Sequence, residues 1–185
     1  MSQQQTGFQP IASTVVVPHH SAWAEVFCQE SARIASVFGA LLVAIHHAGS
    51  TAIPGIKAKP IIDILVEVQQ IEAVDAYNDA IIDLGYEPRG EYEIPGRRFF
   101  TKTSGTTRTH NVHTFQSGHP EIERMLNLRD YLRAHPNEAQ AYSRLKEDLS
   151  RQFPTDIERY TLGKSEFIEE IARRATLWRA GVSKH

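Results

Sequence analysis

The chain alternates between two hydrophobic periods. From Ser21 onward, Trp23, Phe27, Ile34 and Phe38 recur at roughly helical spacing, with Ser21 as the cap and Gly39 as the stop. Leu41-Leu42-Val43-Ala44-Ile45 is a short apolar run of the kind found in buried strands. Gly49-Ser50-Thr51 and Pro54-Gly55 then read as loop. Ile61 to Val68 reads as a second strand, with Ile62, Ile64, Val66 and Val68 on one face and Asp63, Leu65 and Glu67 on the other. Ile71, Val74, Ile81 and Ile82 predict a helix to about Leu84, closed by Gly85. Tyr86–Arg89, Arg97–Thr103 and Thr107–Phe115 are predicted strands, separated by Pro95-Gly96 and Ser104-Gly105 turns. Beyond Pro120 the period is helical, with Ile122, Met125, Leu126 and Leu132 in one stripe. His135-Pro136 breaks that stripe, and two more helices are predicted over 138–152 and 156–179. Asn137 with Gln140, and Thr155 with Glu158, resemble capping boxes. The order predicts an α+β fold: a mixed sheet, flanking helices and a helical C-terminal section. Residues 1–12 read as a mobile polar tail, and 13–185 as a single domain.

Composition narrows the function classes. Lys plus Arg is 20 and Asp plus Glu is 22, a net charge of −2. That balance argues against a general nucleic-acid coat and leaves room for a local basic patch. The longest apolar run, Ala40 to Ile45, is far short of the ~18 residues of a membrane span. The Gln-rich start lacks the apolar stretch of a signal peptide, so no membrane association and a cytoplasmic location are expected. Cys28 is the single cysteine, which excludes an intramolecular disulfide. On the first predicted helix it reads as a small packing residue. Nine histidines are many for this length.

The candidate chemistry centres on the loop from Gly49 to Pro60 and the strand after it. A Gly-Ser turn following a buried strand exposes backbone N–H groups and a small hydroxyl, which suit phosphate oxygens. Lys57 and Lys59 add positive charge, and Asp63 on the next strand is a carboxylate of the kind that holds Mg²⁺ beside substrate phosphates. The spacing is not that of a Walker A loop. A second metal-holding carboxylate would best stand at i+2, about 6.6 Å along the strand, but Leu65 occupies that position. Glu67 is about 13 Å from Asp63 by strand rise, too far to share an ion. In Arg108-Thr109-His110-Asn111-Val112-His113, strand alternation puts Asn111 and His113 on one face and His110 on the other. An imidazole there can ligate a metal or act as acid or base, or be a hydrogen-bonded strand residue. Arg97, Arg98, Lys102 and Arg108 make the β region basic, with Arg98, Phe100 and Lys102 on one face. Asp156, Tyr160 and Lys164 stand at i, i+4 and i+8 on the last helix.

These residues carry a resemblance to the GrpB family, whose fold is similar to that of the nucleotidyltransferase superfamily. It runs from about Thr14 to Ala175. His47-Ala48-Gly49-Ser50-Thr51-Ala52-Ile53-Pro54-Gly55-Ile56 and Lys59-Pro60-Ile61-Ile62-Asp63-Ile64-Leu65-Val66 resemble its signature. Leu84-Gly85-Tyr86, Arg98-Phe99-Phe100, the Arg108–His113 block, the Leu128–Pro136 block, Leu145-Lys146, and Tyr160 with Lys164 follow in the expected order. The resemblance implies a nucleotidyltransferase-like core with Gly49, Ser50 and Asp63 at the phosphate and metal positions. Related domains occur attached to dephospho-CoA kinases, where an accessory role has been proposed. Two departures stand out: His46 where the family often has an acidic residue, and Asn111 where it often has histidine.

The leading expectation is a protein that binds a nucleotide or other phosphorylated small molecule, with Mg²⁺-dependent nucleotidyl transfer as its catalytic form. Ser50, Asp63 and His113 are the catalytic candidates, and Asp63 and His113 the metal candidates. Gly49, Thr51, Lys59, Arg98, Lys102, Arg108, Tyr160 and Lys164 are the ligand- and phosphate-binding candidates. Leu65 favours a rival, a non-catalytic binding or accessory module. The third reading is a metal-dependent hydrolase using Asp63 and His113.

Overall fold

The computed structural model describes residues 14–181. The tail expected over 1–12 lies outside them. Helix α1 (Ala22–Phe38) leads into strand β1 (Leu42–Ala48), and a loop runs from there to β2 (Ile62–Val68). Helix α2 (Asn78–Asp83) and strands β3 (Tyr86–Pro88), β4 (Arg97–Ser104) and β5 (Thr107–Gln116) follow. Three helices close the chain: α3 (Pro120–Ala134), α4 (Pro136–Gln152) and α5 (Ile157–Arg179). The expected α+β class, mixed sheet and helical C-terminal section are all present.

The sheet order is β1-β2-β5-β4-β3. β2 and β5 run parallel in the centre, and the other neighbouring pairs are antiparallel. Strand alternation sorts the core. Ile62, Ile64, Val66 and Val68 join Phe100 and Val112 against Ile34 and Phe38 of α1 and Ile81 of α2. On the other face Leu65 and Phe115 are fully buried beneath Ile122 of α3. A third cluster fastens the helical section to the β1–β2 loop: Ile53 and Ile56 pack with Leu132, Tyr142 and Ile171. Each such buried side chain contributes about 1.5–3 kcal/mol.

Three local expectations shift. The helix over 71–84 divides into a 3₁₀ stretch, Glu72–Tyr77, and the short α2. Helix α4 starts at Pro136, which suits the first helical position, so Asn137 lies inside it. Gln140 instead donates to the Gly55 carbonyl at 3.0 Å. At α5 the cap is Asp156 rather than Thr155, with its carboxylate accepting from the Arg159 N–H at 3.0 Å.

Charged side chains clamp helices to the first face. Lys102 of β4 reaches Glu30 of α1 at 2.7 Å, and both side chains are largely buried. Burial alone would raise the Glu30 pKa, but bonding to Lys102 outweighs it and holds the carboxyl below its ordinary range. Arg98 grips the exposed Asp75 with two bonds, 2.6 and 2.9 Å. Lys102→Met removes the more buried of the two cations on Glu30 and leaves only the half-exposed Arg33, 3.2 Å from its other oxygen, so urea denaturation is expected to register a loss of about 1–3 kcal/mol. Arg98→Met breaks a pair open to solvent on the Asp75 side, and a loss of about 1 kcal/mol or less is expected.

Candidate functional site

Asp63 lies on the second face, near the start of β2. The β1–β2 register sets it opposite Ala48, so the chain turns at Gly49 directly beside its carboxylate. Gly49 has φ 68° and ψ −172°, and a Cβ there would stand 2.1 Å from Asp63 Oδ2. Only glycine permits both that backbone and that approach. The parallel β2–β5 register sets Asn111 beside Asp63 and His113 beside Leu65. Asn111 Nδ2 donates to Asp63 Oδ1 at 2.9 Å, and His113 Nε2 lies 3.6 Å from the same oxygen. Burial would raise the Asp63 pKa, but these neighbours and the charge of Lys59 hold it below the ordinary range. The site carboxylate is therefore ionised at neutral pH.

Cations gather at one end of this carboxylate. Lys59 comes from the loop before β2 and Lys164 from α5. Their ammonium groups sit 5.4 and 4.5 Å from the Tyr160 ring centroid. Lys146 of α4 is almost fully buried, lies 4.4 Å from the Tyr142 ring centroid and donates to the Lys57 carbonyl. Tyr142 is also within hydrogen-bonding reach of Ser50, and burial pushes its hydroxyl up to about 12. Burial pushes Lys164 down to about 8, and Lys59 and Asp63 modify that in opposite senses. Burial, helped by the Lys164 charge, pushes Lys146 down to about 7. Lys59 is lowered by burial too, against the pull of Asp63.

Arg108 joins the group through an irregularity. The β4–β5 register pairs Lys102 with His110 but Thr103 with Arg108, so Thr109 is an extra residue. This bulge re-aims Arg108 toward the face of Thr101, Thr103 and Asp63. Its charge is felt at Lys59. Among the described residues, no carboxylate lies within 4 Å of the charged groups of Lys59, Lys146, Lys164 or Arg108.

Gly49, Ser50, Lys59, Asp63, Arg108, Asn111, His113, Tyr160 and Lys164 are thus brought to one place. Arg98 and Lys102 are not, because they project from the opposite face to Asp75 and Glu30. Thr51 is turned inward: its hydroxyl donates to the Ile61 carbonyl at 3.3 Å and lies 3.0 Å from His47 Nε2. His47 is stacked on Phe27 at 4.8 Å, and burial pushes its pKa down to about 4, so it stays neutral. His46 bonds Glu67 at 2.9 Å. Sequence reading missed Tyr142 and Lys146 as site residues. The signal was there, since Tyr142-x-x-x-Lys146 on α4 repeats the spacing of Tyr160-x-x-x-Lys164 on α5.

Arg97 settles the proton on His113. It is almost fully buried on the Asp63 face, and its Nη1 lies 3.3 Å from His113 Nδ1. A guanidinium only donates, so Nδ1 accepts and the imidazole proton sits on Nε2, facing Asp63. His113 in that form steadies the carboxylate and has no free Nε2 lone pair for a metal. Among the described residues, no group of three His, Cys, Asp or Glu side chains could hold an ion. Asp63 Oδ2 stands over Gly49, and Asn111 Oδ1 is buried without a partner. Two oxygens of this kind are donors that suit Mg²⁺, which takes few protein ligands and completes its shell with phosphates and water.

The GrpB protein family model matches residues 13–174, and the chain belongs to that family. It is 46% identical over 172 residues to the UPF0157 protein YqkA of Bacillus subtilis, covering 93% of this chain and 50% of that protein. It is 26% identical over 188 residues to a dephospho-CoA kinase of Mycobacterium bovis, covering 88% of this chain and 46% of the kinase. The chain therefore spans about half the length of these two relatives. The crystal structure of the conserved protein GrpB from Enterococcus faecalis superposes with a TM-score of 0.83 at 37% identity, covering 87% of this chain and 96% of that one.

Two outcomes test the site's construction. Gly49→Ala and Gly55→Ala share the penalty of a positive φ, but a Cβ at Gly55 meets nothing within 4 Å. Gly49→Ala is expected to destabilise the protein by at least about 1 kcal/mol more, read from denaturation midpoints. Nitrogen-15 spectra of the histidine rings should show His113 protonated at Nε2. Arg97→Met should release that preference, and a wild-type His113 protonated at Nδ1 would refute the assignment.

Proposed function

We propose that the protein binds a nucleoside triphosphate, or a ligand of similar charge, with its phosphates among Lys59, Arg108, Lys146 and Lys164. In the catalytic form of this reading it transfers a nucleotidyl group. The carrying observation is the set of cations without carboxylate partners gathered beside one ionised carboxylate. Keeping like charges together in a half-buried place is unfavourable until an anion enters. Gly49 and Ser50 lie where backbone N–H groups and a hydroxyl can take phosphate oxygens. Asp63 and Asn111 would hold Mg²⁺, which would neutralise charge developing on the transferred phosphorus. In the reaction an acceptor hydroxyl oxygen bonds to the α-phosphorus and gives up its proton to solvent, the bond to the bridging oxygen breaks, and pyrophosphate departs carrying the charge the lysines meet.

One observation favours the rival, a binding module without transfer chemistry. The strand position that would carry a second carboxylate is Leu65, fully buried under α3. The match to a dephospho-CoA kinase is in keeping with such an accessory module. The hydrolase reading loses support from the Nε2 proton of His113.

Thermal shift with ATP separates the two. At a ligand concentration of 100 times Kd, binding adds about 2.7 kcal/mol of stability. The transferase reading expects that gain to need Mg²⁺ and to be lost in Asp63→Asn. The module expects it to survive both changes. Lys164→Met should weaken ATP by about tenfold or more in either case. The phosphates favour the protonated lysines, so binding takes up protons. Affinity should fall as pH rises through about 7 and 8, where Lys146 and Lys164 lose their charge. Absence of any response to ATP refutes the phosphate site.

A further inference from the structure

The end of the site away from the lysines is built of aromatic rings. His113 lies 5.0 Å from Phe99, and Phe99 stacks with Tyr92 at 5.3 Å and 28°. Phe99 is almost fully buried, whereas Tyr92 is 56% exposed. Phe99 pairs with His113 across the β4–β5 ladder, so the stack rises on the Asp63 face. It lies further along the strands, while Lys59 and Arg108 precede Asp63 and Asn111. Asp63 therefore stands between a cationic end and an aromatic end.

The Tyr92 ring is held out under strain. Tyr92 and Glu93 have φ values of 43° and 71°, the only positive ones among the described non-glycine residues. Such a conformation costs about 1–2 kcal/mol per residue. The buried Arg97 guanidinium fixes it, donating to the carbonyls of Glu91 and Tyr92 and lying 4.6 Å from the Phe99 ring centroid. Glu91 in turn accepts from the Gly96 N–H at 2.8 Å. Strain held by a network of this kind is a mark of preorganisation, and here it presents one face of an aromatic ring to solvent.

We propose that the Tyr92–Phe99 stack seats the ring of the acceptor: a nucleoside or comparable flat heteroaromatic molecule bearing a hydroxyl. This rests on the phosphate site described above, because the acceptor must approach from the side opposite the departing pyrophosphate. Two strand spacings across the sheet and two residues along it, about 12 Å together, separate the Asp63 and Phe99 backbones, a span that a nucleoside bridges. Stacking supplies affinity with little demand on ring identity.

The test uses the full chain with two probes, a non-hydrolysable ATP analogue for the phosphate site and adenosine for the aromatic seat. Aromatic ring resonances are followed while adenosine is added to protein saturated with the analogue. Tyr92, Phe99 and His113 signals should move. Tyr92→Leu, which still covers Phe99, should weaken adenosine about fivefold or more, while Tyr92→Phe keeps most of the affinity. If the analogue binds but adenosine leaves Tyr92 unmoved, or binds Tyr92→Leu equally well, the seat is overturned and the phosphate site stands. If adenosine moves Tyr92 while the analogue fails to bind, the ring seat stands and the phosphate reading falls. No response to either probe removes both.

Discussion

The site depends on how closely one carboxylate approaches one backbone. Asp63 Oδ2 occupies space that a Cβ at residue 49 would need. That contact requires β1 to end opposite Asp63 and to turn at once through a conformation open to glycine. The turn is then secured from the helical section. Arg129 donates to the His47 carbonyl at 2.9 Å and Arg133 to the Ala52 carbonyl at 2.8 Å. Two arginines of α3 thereby hold both ends of the segment whose middle faces the carboxylate. The third core cluster, with Ile53 and Ile56 under α3, α4 and α5, serves the same end. The helical section is part of the site's frame, and it also supplies Tyr142, Lys146, Tyr160 and Lys164.

Both faces of the sheet are rich in charge, but the charges are used differently. On the first face Lys102 and Arg98 each have a carboxylate at bonding distance. Those pairs are complete and position α1 and the 3₁₀ stretch before α2. On the second face Lys59, Lys146 and Lys164 rely on tyrosine rings and a carbonyl, which stabilise a cation without neutralising it. Local structure gains little from such an arrangement. Its depressed lysine pKa values express the same imbalance, since each ammonium is disfavoured by burial and by its neighbours. A ligand bringing several negative charges would remove it.

Much of this was legible in the sequence. The strands carrying Asp63, Phe99 and His113 follow from alternation, and Gly49-Ser50 before Asp63 marked the right loop. Alternation also put Arg98 and Lys102 on one face, but period alone does not say whether that face meets α1 or the site. Phe100, lying between them and buried in the first core cluster, places it. Arg108 illustrates the opposite case. A regular strand would align it with His110, and the bulge at Thr109 turns it to the face that carries Asp63. No local residue pattern announces that bulge. Asn111 and His113 were seen as a pair, but the role of His113 turns on Arg97, sixteen positions earlier in the chain and donating to its ring. Such a relation exists only once β4 and β5 are paired.

Leu65 links fold and chemistry most directly. As a strand position two residues after Asp63 it points to the same face, where a second carboxylate would have to stand. In this chain that space is filled by Phe115 and Ile122, so residue 65 serves the core beneath α3. A carboxylate placed there would be buried against Phe115 and Ile122, an unfavourable arrangement. The site is thus confined to one anionic side chain, assisted by the amide of Asn111 and steadied by His113. Packing leaves no place for a carboxylate at residue 65. Any transfer chemistry must draw its remaining charge control from the lysines and Arg108, which is why their lack of carboxylate partners matters more to the functional reading than the carboxylate itself.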